Sequence, residues 1–329
     1  MDMWIIILIC ALSILLLLFI VVLLFTIKAH NNLFMHRFTP DPLVKNYEAE
    51  ELGLKFMEIE FKSQNDTIRG YIYYSDIKHD DSIVVFCHGM WSTHKSYLQD
   101  IGYIANNGYM VMSFDYNGTN ISDGKSLKGL SQSLACLDNA IKFIKENPLY
   151  KNKKIYVVGH SWGGFAAINS PQYHNDISGV VAISPFISIS GVLKGMTKKP
   201  LWIAIPLFIL IDRIRVGKYA YNNAIKTLKK YDGKALVIHS KNDYMVSYKY
   251  NTNILQRKIN KDNVKFYINE DRFHNPHYKK ESVDELVKYL SKVESLKGEE
   301  AKNYKMNVDY AKMGELDPIV MDEIINILK

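Results

Sequence analysis

The longest apolar run in the chain lies at its amino terminus. From Trp4 to Ile27 there are 24 residues without a charged side chain. A helix of that length extends about 36 Å, which exceeds the hydrocarbon core of a bilayer at about 30 Å. Asp2 precedes the run and Lys28 follows it, whereas a secretory signal peptide has its positive charge in front. We therefore predict a single transmembrane anchor over residues 1–27.

The charges beside this anchor predict its orientation. Lys28 and Arg37 follow the anchor, and no Lys or Arg precedes it. Because positively charged flanks remain on the cytoplasmic side, we expect the rest of the chain to be cytoplasmic. Residues 28–54 contain two prolines and show little periodicity, which predicts a tether.

From residue 55 onward, short apolar segments alternate with longer segments of helical character. The first two alternate in period two about a polar turn, which predicts an antiparallel hairpin. The later ones are almost continuously apolar, which is typical of parallel strands covered on both faces. The predicted strands are 56–62, 68–74, 83–87, 109–114, 155–158, 180–184, 235–239 and 264–268. The predicted helices are 94–106, 128–146, 162–170, 247–259, 279–292 and a final one at 317–329. We expect one α/β domain over residues 55–329, with a mostly parallel eight-stranded sheet led by the hairpin.

The composition excludes several classes of protein. With 48% hydrophobic and 23% charged residues among 329, the chain is too apolar to be disordered. The three cysteines, Cys10, Cys87 and Cys136, lie in apolar runs and imply no disulfide framework. The histidines show no metal-ligand spacing, and there is no glycine-rich phosphate loop. We therefore expect no metal, no cofactor and no nucleic-acid partner.

One short motif carries the clearest chemical signal. Gly159-His160-Ser161-Trp162-Gly163 follows a predicted strand and precedes a predicted helix. This is the setting of a nucleophile elbow, a turn so sharp that its flanking residues must be small. The hydroxyl of Ser161 is then presented above the sheet, which makes Ser161 the candidate nucleophile.

A serine hydroxyl needs a base to remove its proton and a carboxylate to orient that base. Asp243 follows the strand 235–239, and His274 follows the strand 264–268. Their order along the chain, Ser then Asp then His, is the order of a strand-end triad in an α/β sheet. Asp271 is a weaker candidate for the acid, because it follows the strand 264–268 and the acid is expected after the strand 235–239. His277 is a second candidate base, but we expect it to begin a helix and to face solvent.

Residues 56–292 resemble the α/β-hydrolase superfamily, close to its serine aminopeptidase-like and monoacylglycerol lipase-like branch. His88-Gly89-Met90-Trp91 resembles the family's oxyanion segment, and His239–Val246 resembles its acid loop. A third stretch, from Asp115 to Gly124, resembles an Asp-Tyr-Arg-Gly segment but departs from it at Asn117 and Asn120. The resemblance implies an α/β-hydrolase fold and a catalytic triad of Ser161, Asp243 and His274.

The same resemblance assigns further site residues. It implies that the backbone N–H groups of Met90 and Trp162 form the oxyanion hole, where negative charge develops on the substrate. We also expect Trp91, and Trp202 farther along the chain, to contact the substrate.

A basic insertion separates the strand ending near residue 184 from the strand starting at residue 235. The whole chain has a formal net charge of +7, whereas residues 187–230 hold nine Lys and Arg against Asp212 alone, a net charge of +8. Within this lid, Leu201–Ile211 is apolar but too short to span a bilayer. Two interpretations stay open: the stretch roofs an acyl pocket, or it also rests on an anionic bilayer.

Together these patterns predict a membrane-anchored serine hydrolase that cleaves a carboxylic ester through an acyl-enzyme. An esterase or lysophospholipase acting on a small lipid-like acyl substrate fits best, with membrane lipid as the second expected partner. One alternative is an aminopeptidase-like amide hydrolase, for which we find no carboxylate cluster in the lid to bind an ammonium group. Another is a non-catalytic, membrane-tethered binding module. The oligomeric state is left open.

Overall fold

The computed structural model describes residues 2–77 and 81–329. Met1, the first residue of the predicted anchor, lies outside the described residues. The eight strands are β1 Lys55–Ser63, β2 Asp66–Tyr74, β3 Ser82–Cys87, β4 Met110–Phe114, β5 Lys154–His160, β6 Gly179–Ile183, β7 Lys234–Ser240 and β8 Val264–Asn269. The helices are α1 Met3–Phe34, α2 Leu98–Ala105, α3 Gln132–Glu146, α4 Trp162–Asn169, α5 Ile189–Met196, α6 Ile205–Val216, α7 Ala224–Lys230, α8 Thr252–Lys258, α9 Lys280–Ser295, α10 Gly298–Met306 and α11 Pro318–Leu328.

All eight strands form one sheet, in the order β1-β2-β4-β3-β5-β6-β7-β8. The hairpin β1–β2 and the pair β2–β4 are antiparallel, and the remaining pairs are parallel. The predicted fold class is therefore confirmed. Because β5, β6, β7 and β8 are parallel neighbours, their carboxyl ends lie along one edge of the sheet, where ligands bind in open α/β sheets.

Helices cover both faces of the sheet, which explains why the central strands are continuously apolar. On one face, α2 and α11 pack through Leu98, Ile101 and Ile324. On the other face, α3 and α4 pack through residues such as Leu134 and Phe165. Each central strand is therefore buried on both sides.

The predicted lid, residues 187–230, contains α5, α6 and α7 together with short 3₁₀ turns. Gly217 separates α6 from the next turn with a φ of 102°, a backbone conformation in which an L side chain is strained. The sequence pattern did not resolve these three helices, nor did it predict α10 in the charged region after α9.

The amino-terminal helix is long and apolar enough to cross a membrane. It continues to Phe34, seven residues beyond the predicted end of the anchor, so the first part of the predicted tether is helical. The residues that follow bond to the domain: the N–H of Phe38 donates to the carbonyl of Gly118 at 2.8 Å. Arg37 likewise donates to the carbonyl oxygens of Ser122 and Gly124, each at 2.8 Å. The domain thus holds the chain at residues 37 and 38.

Candidate active site

Ser161 occupies the sharp turn between β5 and α4. Its φ of 55° and ψ of −109° place it in a conformation that is rare for any residue except glycine. A Cβ atom on Gly159 would collide with the carbonyl of Gly163, and one on Gly163 would collide with the carbonyl of Cys87. Small residues are therefore required on both sides of the turn, as the motif predicts.

Asp243 and His274 lie in the loops after β7 and β8. Nδ1 of His274 lies 2.8 Å from Oδ2 of Asp243, and both side chains are buried. Ser161 and His274 line the same cavity. No hydrogen bond joins these two residues, both of which the structure describes, so the base and the hydroxyl share a cavity without being bonded. Such bonds are often long without substrate and shorten when it binds.

Asp243 bonds to other groups besides His274, the predicted base. Its Oδ1 accepts hydrogen bonds from the N–H groups of Met245 and Val246, each at 2.8 Å. Nε2 of His239 lies 3.1 Å from Oδ2. Burial raises the pKa of Asp243, but the opposing effects of His274 and His239 are larger and hold it well below its ordinary value. The carboxylate therefore stays charged and orients the ring of His274.

His239 is a site residue that the sequence analysis missed. Its Nδ1 lies 2.6 Å from Oγ1 of Thr252, which leaves Nε2 to contact Asp243. The available signal was its position at the end of β7, four residues before the acid. The direction of its ring depends on α8, which supplies Thr252, and spacing alone does not give that direction.

His160 connects the two halves of the site. Its Nε2 lies 2.9 Å from the carbonyl oxygen of His274, which only accepts, so the ring proton is on Nε2. Its Nδ1 then accepts from the hydroxyl of Tyr97 at 2.7 Å, and that hydroxyl accepts from the N–H of Gly89 at 3.1 Å. Burial, followed by the nearby His274 and His277, lowers the pKa of His160 well below its ordinary value. This neutral histidine therefore links the loop of Gly89 to the backbone of His274.

The predicted oxyanion donors are the backbone N–H groups of Met90 and Trp162. Met90 and Trp162 both line the cavity with Ser161, and Trp162 is the first residue of α4. The N–H groups of a helix's first turn have no partner within the helix, so that of Trp162 is available to an anion. The indole of Trp162 donates to the carbonyl of Leu130, which fixes the position of its ring.

The cavity has a volume of about 210 Å³ and mostly apolar walls. Its described lining residues are Leu33, Phe34, Gly89, Met90, Trp91, Tyr97, Leu130, His160, Ser161, Trp162, Phe186, Val192, Leu193, Met196, Met245, Val246 and His274. No Asp or Glu occurs among them. An apolar cavity beside Ser161 and His274 suits an uncharged hydrocarbon group.

The two predicted substrate-contacting tryptophans differ in position. Trp91 lines the cavity with a φ of 54° and is 45% exposed. Trp202 is not among the described lining residues; its ring packs on that of Tyr250, with centroids 5.7 Å apart. The apolar stretch Leu201–Ile211 likewise contributes no residue to the wall, because α5 occupies that place through Val192, Leu193 and Met196.

The prediction for His277 was wrong. The side chain is fully buried, and α9 begins three residues later, at Lys280. Nε2 of His277 lies 3.2 Å from Oδ1 of Asp100, and its ring centroid is 5.2 Å from that of His160. The ring therefore packs behind the site, and it does not line the cavity. Proline at position 276 suggested a helix start, but the chain first makes a turn that directs His277 inward.

Metal ligation has no candidate group among the residues that the structure describes, since no three His, Cys, Asp or Glu side chains are suitably clustered there.

Comparison with known families gives one match in sequence. A family model described as serine aminopeptidase, S33, matches residues 78–215. This stretch includes Ser161 but ends before Asp243 and His274. The family match therefore supports the nucleophile region, and the other two residues rest on the geometry described above.

Two curated proteins are similar to parts of the chain. A monoglyceride lipase of Saccharomyces cerevisiae is 24% identical over 186 residues, 54% of this chain and 54% of that protein. A polyketide transferase of a Penicillium species is 23% identical over 138 residues, 41% of this chain and 46% of that protein. The chain thus spans about half the length of the curated relatives it matches.

Solved structures share the fold over more of the chain. An esterase of Pyrococcus furiosus has a TM-score of 0.56 at 20% identity, covering 82% of this chain and 97% of that one. An α/β hydrolase of a Penicillium species has a TM-score of 0.53 at 15% identity, covering 77% of this chain and 100% of that one. The protein Est1E of Butyrivibrio proteoclasticus, solved with ferulic acid bound, has a TM-score of 0.53 at 16% identity, covering 71% of this chain and 97% of that one. At these identities the likeness establishes the fold.

Proposed function

We propose that the chain is a membrane-anchored serine hydrolase of the α/β-hydrolase superfamily and that it cleaves a carboxylic ester through an acyl-enzyme. The proposed substrate is lipid-like, as for an esterase or lysophospholipase. The observation that carries the proposal is the meeting of Ser161 and His274 in one apolar cavity, with His274 oriented by Asp243 at 2.8 Å.

The reaction follows from the roles that the geometry allows. Oγ of Ser161 attacks the ester carbonyl while Nε2 of His274 takes its proton. The backbone N–H groups of Met90 and Trp162 stabilise the oxyanion that forms. The proton then passes from His274 to the leaving alkoxide, which departs as an alcohol. A water molecule, deprotonated by His274, then attacks the acyl-serine. The carboxylic acid is released as His274 returns the proton to Oγ of Ser161.

The preference for an ester with a hydrocarbon chain rests on the lining of the cavity. Its described walls carry no carboxylate that would pair with the ammonium group of a peptide amino terminus. They do carry aliphatic side chains from α5, which suit an acyl chain. An amide hydrolase that removes amino-terminal residues is therefore the less favoured reading.

Membrane attachment is part of the proposal and is supported by both α1 and the lid. Helix α1 is exposed along its apolar length from Met3 to Val21. Its carboxyl end packs on α6, where the rings of His30 and Phe208 have centroids 4.7 Å apart. The lid also exposes large apolar side chains, namely Leu201, Ile203, Leu210 and Ile214. An exposed apolar surface beside a membrane helix favours contact of the lid with the bilayer.

Substitution of the nucleophile tests the enzymatic proposal. Ser161→Ala should lower turnover of p-nitrophenyl butyrate by at least about 10³-fold with the fold intact, since the attacking oxygen is lost. Asp243→Asn should lower kcat by about 10⁴-fold, because an amide no longer favours the required tautomer of His274. Initial rates on the purified full chain in detergent measure both effects.

Asp271→Asn is the matched control for the acid. Asp271 lies after β8, and its side chain is 59% exposed, so its replacement should leave kcat within about twofold. Unchanged activity in Ser161→Ala would refute the proposal. Absence of both activity and labelling by a fluorophosphonate in the wild-type protein would favour the non-catalytic binding module.

A further inference from the structure

The carboxyl end of α1 is part of the domain as well as the end of the proposed anchor. Three side chains spaced four residues apart, Thr26, His30 and Phe34, are buried, whereas the helix is exposed over residues 2–21. A spacing of four places these side chains on one face. Phe34, which is 1% exposed, belongs to the main hydrophobic core. One face of the carboxyl end of α1 therefore packs against the globular part of the chain.

Polar contacts hold this end of α1 to the lid. Arg215, on α6, contacts Nδ1 of His30 at 2.7 Å and donates to Oδ1 of Asn31 at 2.6 Å. The ring of Phe208, also on α6, packs edge-on against that of Phe34 with centroids 6.3 Å apart. Hydrogen bonds together with ring contacts fix both the position and the rotation of the helix.

A buried carboxylate extends these contacts to the cavity wall. Asp212, which is completely buried on α6, lies 3.5 Å from Nε2 of His30. It accepts hydrogen bonds from the N–H groups of Leu130 at 2.6 Å and Ser131 at 3.3 Å. Leu130 lines the cavity, and its carbonyl accepts from the indole of Trp162. The same carboxylate thus contacts the end of α1 and the loop that supports Trp162.

Two residues from this end of α1 close the cavity of Ser161. Leu33 and Phe34 are lining residues together with Ser161 and His274. Leu33 is only partly buried and packs against the core, so its size can change without removing a core side chain. We propose that the last turn of α1 is a specificity-determining wall, in which Leu33 limits the length of the acyl chain that fits. This inference rests on the proposed ester hydrolase activity.

The proposal also assigns the acyl group to the fatty acyl chains of membrane lipids. Since the wall is the carboxyl end of the helix whose other end is the proposed anchor, the acyl chain lies against the segment that joins the domain to the membrane. The proposed source of the acyl chain is therefore a membrane lipid close to α1. If a flexible linker joined the anchor to the domain, the end of α1 would not line the cavity and there would be no such wall.

Chain-length preference of Leu33 variants tests the wall. In Leu33→Ala the ratio of kcat/KM for p-nitrophenyl laurate to that for p-nitrophenyl butyrate should rise about 10-fold, and in Leu33→Trp it should fall about 10-fold. The full chain in detergent is used. Because each ratio compares two substrates on one sample, a lower folded fraction cancels. Leu24→Ala is the matched control, since Leu24 is 60% exposed on the same helix and should leave the ratio unchanged.

The outcomes separate this inference from the proposed function. If Ser161→Ala retains full activity, the hydrolase proposal fails and the ratio has no bearing on Ser161. If turnover depends on Ser161 but both Leu33 variants keep the wild-type ratio within about twofold, the wall is refuted while the hydrolase stands. Opposite changes in Leu33→Ala and Leu33→Trp, with none in Leu24→Ala, support the wall.

Discussion

At the scale of single residues, the site depends on which groups are charged and which are neutral. Asp243 stays ionised, because two histidines and two backbone N–H groups surround it. His160 stays neutral, because burial and neighbouring imidazoles oppose its protonation. The charged Asp243 orients His274, whereas the neutral His160 only positions the backbone. His274 is therefore the one histidine proposed to act as a base on Ser161.

His88 provides a pH-dependent prediction. It is fully buried, its Nδ1 lies 2.7 Å from the carbonyl oxygen of Gly89, and burial lowers its pKa to about 4. Between that value and about 6.5, the ordinary value for histidine, the unfolded chain binds more protons than the folded one. The free energy of unfolding should therefore fall by about 3 kcal/mol on account of His88 as the pH falls through this range.

The measurement is the thermal unfolding midpoint of the full chain in detergent at several pH values. Wild type should lose stability steadily below about pH 6.5, and His88→Gln should lose less over the same range because its amide does not titrate. Identical pH dependence in the two proteins would contradict a neutral buried His88.

The residue types of the site were predictable from sequence, because a nucleophile elbow needs glycines and the triad residues follow particular strands. Ser161, Asp243 and His274 were predicted in this way, and the structure places Ser161 and His274 in one cavity with Asp243 bonded to His274. His239 and His277 were not predicted in this way, since the direction of a ring depends on its tertiary neighbours, Thr252 for one and Asp100 for the other. Trp202 was predicted to contact the substrate but does not line the cavity. The residues of α5 line that side of it, and this packing could not be read from the sequence.

At the scale of elements, strands were easier to predict than lid helices. Strands such as β5 and β7 are marked by short apolar runs, and their observed ends lie within about two residues of the predicted ones. Helix α6 is apolar on several sides, with Ile205 and Phe208 buried but Leu210 exposed, so its periodicity does not indicate which face is buried. The predicted anchor ends at residue 27 because Lys28 interrupts the apolar run, and α1 itself continues to Phe34 through its contacts with the lid.

At the scale of the whole molecule, the helix of the proposed anchor contacts both the lid and the cavity. Helix α1 contributes to the cavity wall, and α6 joins it to the loop below Trp162. A rigid connection of this kind would keep the opening of the active site at a fixed distance from the bilayer. The substrate supply would then be the membrane itself.

The proposed cytoplasmic position of the domain is tested in intact cells. Because Lys and Arg follow the anchor and none precedes it, the domain should resist protease added outside and become sensitive once the cells are opened. Cleavage of the domain in sealed cells would contradict this orientation without affecting the chemistry of the site.

The central claim is that Ser161 forms a covalent bond with the substrate's acyl group. The most direct measurement is mass spectrometry of the full chain after reaction with a fluorophosphonate, followed by peptide mapping. We expect one adduct, on the oxygen of Ser161, together with loss of ester turnover. Turnover that persists with Ser161 fully modified, or inactivation by an adduct on a different residue, would contradict the account.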